Sequence, residues 1–324
     1  MSRNINPEIK LINLDHKTRT IEFELLNART AFANALRRIM IAEIPTFAFE
    51  HVEFQQNTSP LPDEFIAHRL GLIPLISEKV DHFKFQSECD CSGGCPKCQI
   101  IYFIDVHCET DTPRLVTTDD LQFFGDFDDP DAYRNYIDAA ESVRPVQLPA
   151  IPGRETVPIT ICKLGKGQVL QVLCKAVKGI AREHSKWSPC SCSAYRMDPV
   201  IHVNQQFFAE KMKDSGDYVD VFASKCPNNV FKRGNSEEEP VAVINPSNCT
   251  FCRQCQEYLE NEGIPDPEGK VVIDQVPDKY IFKVESTGAL PPETIVIRGF
   301  DILKQKLMNL KEHIQQSNEP DLLH

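Results

Sequence analysis

Four of the 13 cysteines in this 324-residue chain fall within ten residues of one another. Reduced cysteines at such short spacing are metal ligands more often than disulfide partners. Zinc takes four thiolates in a tetrahedron, and Gly93-Gly94 allows the chain to turn sharply between two cysteine pairs. The pattern predicts a structural zinc loop whose four positions are all filled by protein, with free thiols as the alternative. The ligands of this predicted zinc loop are Cys89, Cys91, Cys95 and Cys98.

A second group has three cysteines separated by two residues each, with Cys226-Pro227 upstream. This spacing is typical of iron-sulfur clusters, and in two-cluster ferredoxins each run of three shares its cluster with the Cys-Pro of the other half. The chain would retain one cluster, because Gly216, Val219, Phe222 and Leu259 occupy the cysteine positions of the other. We expect a [4Fe-4S] or [3Fe-4S] cluster; a second zinc site and an empty site are the alternatives, since thiolates accept either metal. The predicted ligands are Cys226, Cys249, Cys252 and Cys255.

The chain is acidic, with a formal net charge of -12. A protein that held nucleic acid by its own surface would usually be basic, so the charge favours protein partners. No segment has the pattern of a transmembrane helix, and the polar residues from Met1 to Lys10 lack the apolar core of a secretion signal. We therefore expect a cytosolic or nuclear protein whose thiols stay reduced.

Hydrophobic periodicity predicts a mixture of strands and helices. Two short strands are expected within Glu8–Leu26, and an amphipathic helix over Thr30–Glu43 that Pro45 ends. Downstream, Val157–Lys163 and Gln168–Val177 are predicted to form a hairpin around Gly165-Lys166-Gly167.

The last predicted helix covers about Ile295–Gln316, and its apolar residues recur alternately every three and four positions. Such a heptad-like seam is suited to pairing with another helix, while packing within one chain is the alternative. The seam consists of Phe300, Leu303, Leu307, Leu310 and Ile314.

Two strings near the first helix, Asn34–Thr46 and Asn57–Leu75, carry a resemblance to a known family. They resemble the larger alpha-like assembly subunits of multisubunit RNA polymerases. The closest likeness is to the third-largest subunit of eukaryotic RNA polymerase II, and a more distant one is to the archaeal D subunit and the bacterial alpha N-terminal domain. Further similar strings follow in the same order: Lys163–Gln168, Lys178–Ala181, Glu183–Pro189, Val284–Ser286 and Gly288–Leu290.

The resemblance implies an α+β fold with a discontinuous dimerisation domain. That domain would comprise 1–50, 162–198 and 277–324. Two insertions would interrupt it: a mixed α/β domain at 51–161 that carries the zinc loop, and a ferredoxin-like domain at 199–276, which resembles that of archaeal D subunits and is lacking in animal and fungal polymerase II subunits.

The resemblance also implies a non-catalytic role in the nucleus. The chain would pair with a smaller alpha-like subunit and nucleate docking of the largest and second-largest subunits, so that it would meet DNA only through the complex and no membrane at all. The equivalent subunit shared by polymerases I and III is the close alternative. An electron carrier is the alternative from another class, although no dinucleotide fingerprint accompanies the cysteines.

Family analogy places several side chains at subunit interfaces. Arg37 and Arg38 would contact a large subunit, with a solvated helix face as the alternative. The helix around Glu64 and Arg69 would lie against a large subunit or a small zinc-bearing subunit. The heterodimer interface would include Phe32, Leu36, Leu303, Leu307, Leu310 and Ile314.

Overall fold

The computed structural model describes residues 6–124, 140–148 and 156–318, with side chains to residue 316. Its helices are α1 (Thr30–Ala42), α2 (Asp63–Gly71), α3 (Gln205–Asp214), α4 (Tyr218–Ser224), α5 (Gln254–Asn261), α6 (Pro267–Lys270) and α7 (Pro292–Asn318). Its strands are β1 (Glu8–Asp15), β2 (Thr20–Leu26), β3 (Thr46–Asn57), β4 (Gln99–His107), β5 (Arg114–Thr117), β6 (Gln122–Phe124), β7 (Thr160–Leu164), β8 (Val169–Gly179), β9 (Cys190–Val203), β10 (Phe231–Arg233), β11 (Val241–Val243) and β12 (Val271–Ser286).

Helices and antiparallel sheets are combined as the expected α+β class requires. One four-stranded sheet has the order β1-β2-β12-β9 and another the order β3-β8-β4-β6, while β5 pairs with β7 and β10 with β11. In the second sheet β3 and β4 flank β8 on either side, both antiparallel to it. None of the described helices combines the length and apolar character needed to cross a bilayer.

The predicted hairpin of Val157–Lys163 with Gln168–Val177 is wrong. The two segments do form strands, β7 and β8, but β7 pairs with β5 and β8 lies between β3 and β4. Alternate residues of β8 are buried, from Leu170 to Ala176. Alternation of buried and exposed residues specifies which face of a strand is buried and not which strand pairs with it, so the pattern did not distinguish a hairpin from pairing with β3 and β4.

The chain divides into two compact units. The smaller unit takes its described residues from Met1–Lys10, Glu24–Thr30 and Tyr195–Ile281, and the larger unit from Leu11–Phe23, Ala31–Ala194 and Phe282–His324. The larger unit has a core between the β3-β8-β4-β6 sheet and α2, centred on Phe47, Phe49 and Tyr102.

The smaller unit has an apolar core of its own, built on Phe208 and Phe222. Within this unit β9 runs past position 199 and β12 begins before position 277, at Val271. The predicted insertion at 199–276 therefore begins and ends inside two continuous strands.

Candidate metal centres and assembly surface

The predicted zinc loop is closed at its base. The backbone N–H of Lys84 donates to the carbonyl oxygen of Lys97 at 2.8 Å, which joins the two ends of the segment. Gly93 and Gly94 both have left-handed backbones, with φ of 92° and 108°. A Cβ on Gly94 would also lie 2.1 Å from Oε1 of Gln99, so a larger residue would clash as well as strain the turn.

The loop brings its four cysteine sulfurs together. Sγ of Cys89 lies 3.5 Å from that of Cys95, Sγ of Cys91 lies 3.6 Å from that of Cys98, and the Cys95 and Cys98 sulfurs are 3.9 Å apart. Zinc-sulfur bonds of about 2.3 Å place the corners of a tetrahedron about 3.8 Å apart, so the spacing fits one zinc ion.

The surroundings of the four thiols differ. The backbone N–H of Cys91 donates to the Cys89 sulfur and lowers the pKa of that thiol to about 7. Burial raises the pKa of the Cys98 thiol, which is the most buried of the four. A bound cation stabilises all four thiolates together, because metal ligands must be deprotonated. The set therefore fits a closed structural site, in which every ligand comes from protein.

The second cysteine group lies in the smaller unit. Cys226, Cys249 and Cys255 pack in its apolar core, whereas Cys252 is exposed. Burial, together with the nearby charges of Cys249 and Cys252, raises the pKa of the Cys255 thiol to about 11. Burial likewise raises the pKa of Cys249, and the charges of Cys252 and Cys226 add to that shift.

The four sulfurs of the second group are spread more widely than those of the zinc loop. Among the residues that the structure describes, the zinc loop is the one set of three or more Cys, His, Asp or Glu ligands whose atoms all lie within 4.8 Å of one another. A cluster of several iron atoms holds its cysteines farther apart than a single ion does. Phe251 and Arg253, on either side of Cys252, have left-handed backbones, with φ of 56° and 61°.

Three of the positions where a two-cluster ferredoxin pattern would have further cysteines lie in the apolar core. Phe222, Val219 and Leu259 are fully buried in the smaller unit. The ring of Phe222 lies 4.7 Å from that of Phe208 and 5.1 Å from that of Phe231, measured between centroids. These positions therefore belong to the aromatic core of the smaller unit.

Helices α1 and α7 pack against each other within this chain. The Phe32 and Phe300 rings lie 6.3 Å apart, and Nζ of Lys306 donates to Oε1 of Glu43 at 2.7 Å. Leu36 is fully buried within this chain, where α7 approaches α1 most closely. The accessible surface of the pair is therefore made by the neighbours of Leu36 rather than by Leu36 itself.

An apolar stripe along α7 is open to solvent. Leu307, Leu310 and Ile314 are 56%, 55% and 52% exposed, and Leu303 at its start is half-buried. Met308, at 46%, extends the stripe and was missed by the heptad pattern. Leu303, Leu307 and Met308 line a shallow groove with Phe32 and Phe300, and Leu310 and Ile314 continue the stripe beyond it. A contiguous apolar surface of this kind marks an interaction site.

The arginines expected at interfaces differ in their contacts. Nη2 of Arg37 donates to Oδ1 of Asn34 at 2.9 Å within α1, while Arg38 is exposed. Arg69 joins α2 to β7 by donating to the carbonyl oxygens of Thr160 and Ile161. The contacts of Arg69 therefore stabilise the larger unit itself, and sequence reasoning missed this role.

The outer face of α2 exposes two apolar residues that the sequence analysis did not single out. Phe65 is 51% exposed beside Glu64, and Leu72, directly after the helix, is 50% exposed. Their buried neighbours Ile66 and Leu70 face the core, so this short helix is apolar on both sides. Phe65 and Leu72 were the sequence signal from which this exposed apolar surface could have been predicted.

Comparison with known proteins agrees with this geometry. A family model described as the RNA polymerase Rpb3/Rpb11 dimerisation domain matches residues 22–307. DNA-directed RNA polymerase II subunit rpb3 of Dictyostelium discoideum is 36% identical over 306 residues, covering 94% of each protein. The subunit rpac1 of polymerases I and III from the same organism is 35% identical over 95% of this chain and 82% of its own length. RNA polymerase subunit Rpo3 of the archaeon Methanosphaera stadtmanae is 32% identical over 88% of this chain and 91% of its own length.

The match covers α1 and most of α7, the two helices whose side chains form the exposed groove. The chain therefore belongs to the Rpb3/Rpb11 dimerisation family of RNA polymerase subunits, as its ordered sequence strings predicted.

Proposed function

We propose that this protein is the third-largest, non-catalytic assembly subunit of nuclear DNA-directed RNA polymerase II. It pairs with a smaller alpha-like subunit, and the pair nucleates docking of the largest and second-largest subunits. The observation that carries this proposal is the open apolar stripe of α7, in a chain that matches a dimerisation domain.

The stripe can supply substantial binding free energy. Fully burying a Leu, Ile or Met side chain contributes about 1.5–3 kcal/mol. Leu307, Met308, Leu310 and Ile314 are each about half exposed, so covering them with a partner helix contributes several kcal/mol. The seam spacing fits a helix that packs side by side with α7, which is how we place the smaller subunit.

The share of each relative's length that the chain spans favours assignment to polymerase II over polymerases I and III. The chain spans 94% of the polymerase II relative but 82% of the polymerase I and III relative, at nearly equal identity. Affinity purification of the tagged chain, followed by mass spectrometry of the largest subunit recovered, distinguishes the two assignments.

Other surfaces of the chain fit larger partners. We assign Arg38, with its neighbour Arg37, to contact with a large subunit, since exposed arginines are common interface anchors. The face of α2 with Glu64 and Phe65 then lies against a large subunit or a small zinc-bearing subunit. The net charge of -12 agrees with access to DNA only through the assembled complex, where catalysis resides.

The two inserted segments hold metal in this proposal. Cys89, Cys91, Cys95 and Cys98 bind one zinc ion within the domain at 51–161. Cys226, Cys249, Cys252 and Cys255 bind one iron-sulfur cluster within the ferredoxin-like domain at 199–276. The wide spread of the second set of sulfurs supports a cluster over a second zinc ion.

The test is pairing with the smaller alpha-like subunit after co-expression. The double variant Leu307→Glu/Ile314→Glu places two charges in the stripe and should abolish co-purification of the partner. Leu115→Glu is the matched control, because Leu115 on β5 is 53% exposed and lies outside the groove. Retention of the partner by the double variant, with the control behaving identically, would refute the assigned interface.

A further inference from the structure

A concave pocket of the larger unit is lined by basic side chains. His16, Lys17 and Arg19 approach it from the turn between β1 and β2, and Arg144 approaches it from the segment that follows Val143. The whole chain carries a net charge of -12, so the positive charge of this pocket, with its three permanent cations, is opposite to that of the chain as a whole. The heterodimer surface on α1 and α7 involves none of these residues.

Arg19 is built into the pocket. Its guanidinium donates to the carbonyl oxygens of Gln147, at 2.8 Å, and Thr287, at 3.4 Å. A Cβ on Gly288 would lie 2.3 Å from Nη1 of Arg19 and 2.6 Å from Cγ1 of Val146, so only glycine leaves the necessary space. Arg19 itself has φ of 55°, a conformation that a non-glycine residue adopts at a cost of about 1–3 kcal/mol.

The turn that presents Lys17 is also fixed. Oδ1 of Asp15 accepts the backbone N–H of Lys17 at 2.8 Å, and Oδ2 accepts the hydroxyl of Thr18 at 2.9 Å. On the other side, the N–H of Val146 donates to the carbonyl oxygen of Pro74 at 2.9 Å, which holds the segment with Arg144 in place. The Arg19 side chain and the backbones that carry Lys17 and Arg144 are thus held before any ligand arrives, which lowers the entropy cost of binding.

The cations form no direct ion pair within the described residues, although the charge of the Asp15 carboxylate lies close enough to Lys17 to interact with it. Lys17, Arg19 and Arg144 form no ion pair with a carboxylate in 6–124, 140–148 or 156–316, although other lysines and arginines of the larger unit do. The pocket also has an apolar wall, made by Ile76, Val146 and Leu148, of which Leu148 is 46% exposed. The site therefore offers positive charge and an apolar surface side by side.

We propose that this pocket binds an acidic peptide segment of a protein partner, with carboxylates at Lys17, Arg19 and Arg144 and an apolar side chain against Leu148. Charge complementarity selects the acidic groups, and the apolar wall selects a peptide over a phosphate group. Nucleic acid is disfavoured because the rest of the acidic chain repels its backbone.

The test measures binding of a fluorescein-labelled 12-residue peptide that alternates glutamate with leucine, by anisotropy on the full chain. A glutamine-leucine peptide and a 12-nucleotide single strand are the comparison probes. Lys17→Glu/Arg144→Glu reverses two cations of the pocket. Lys163→Glu/Arg182→Glu makes the same change in charge at two exposed sites outside it, and thermal unfolding checks that both variants remain folded.

We expect the acidic peptide to bind the wild type and the control alike, and the pocket variant at least about tenfold more weakly, with affinity falling as salt rises. The proposal is overturned if the pocket variant binds as tightly as the control, if the glutamine peptide binds equally well, or if the oligonucleotide binds more tightly than the acidic peptide. Absence of acidic-peptide binding to the wild type also overturns it.

Discussion

Gly299 of α7 lies directly against Met40 of α1. A Cβ on Gly299 would come within 2.9 Å of Cγ of Met40 and 3.2 Å of Cδ1 of Leu36. Met40 and Leu36 are fully buried, so neither side chain can turn away into solvent. This close approach sets the distance between the two helices that form the assembly surface.

Gly299→Val should force these helices apart. Overpacking of a tight contact costs about 1–3 kcal/mol of unfolding free energy, and a shifted α7 presents its stripe at the wrong angle. We expect a lower midpoint in urea unfolding and weaker retention of the smaller subunit. Gly216→Val is the control, because a Cβ there meets nothing within 4 Å. Equal stability and pairing of the two variants would contradict this account of α1 and α7.

Cys91→Ser should remove zinc from the first loop. The wild-type chain, purified with its partner, is expected to hold about one zinc in this loop, and the variant none. Loss of a structural metal costs on the order of 4 kcal/mol, so thermal unfolding should begin at lower temperature. Cys192→Ser is the matched control, since Cys192 is exposed and outside both cysteine groups. Zinc content measured by plasma mass spectrometry decides the outcome, and full zinc in Cys91→Ser would exclude the proposed ligand set.

Local patterns predicted the parts of this protein that depend on residues near in sequence. The cysteines of the zinc loop span ten positions, so their convergence follows from spacing and two glycines. The exposed stripe of α7 follows from its heptad period, and α1 begins at Thr30 as predicted. Hydrophobic periodicity predicted a mixture of strands and helices, and the family resemblance implied the α+β class.

Contacts between distant residues were beyond the reach of such patterns. Strand periodicity identified β8 but could not choose its neighbours β3 and β4, because alternation specifies a buried face and not a partner. The role of Gly299 depends on Met40, which lies far away in sequence, and a glycine inside a helix gives no sign of what it contacts. The basic pocket was missed for the same reason, since Arg19 and Arg144 meet only in the fold.

The smaller unit should keep its fold when its metal is lost. Cys252 is exposed and contributes nothing to the aromatic core around Phe222, so Cys252→Ser should lose iron and acid-labile sulfide while far-ultraviolet circular dichroism stays unchanged. Phe222→Ala retains all four cysteines but empties the centre of the core. This substitution should lower the free energy of unfolding by about 3–5 kcal/mol. Protein prepared without oxygen is needed for both measurements.

Two outcomes would contradict this prediction in different ways. Unfolding of the smaller unit in Cys252→Ser would show that the metal, rather than the aromatic core, maintains the fold. About two zinc ions per chain and no iron in the wild type would make the second group a zinc site, and the polymerase assembly role would be unaffected.

Lys279 of β12 should stabilise the smaller unit through neutral and mildly alkaline pH. Its ammonium donates to Asp198 at 2.9 Å and forms an ion pair with Glu24 at 3.0 Å. The hydrogen bond with Asp198, followed by that with Glu24, raises the pKa of Lys279 above its ordinary value of 10.5. A raised pKa means that the folded state holds the proton more tightly than the unfolded state, so this stability is complete below pH 10.5 and is lost as the pH rises through the folded-state pKa.

Lys279→Met removes the cation and leaves two carboxylates facing each other, so we expect a loss of about 1–3 kcal/mol in unfolding free energy at pH 7. The difference from wild type should remain at pH 9 and shrink above pH 10.5, where the wild type loses the same proton. Lys283→Met is the control, because Lys283 on the same strand is 58% exposed and 3.9 Å from its partner Glu22. Urea unfolding at pH 7, 9 and 11 makes the comparison, and a deficit that grew with pH would have the wrong sign for this ion pair.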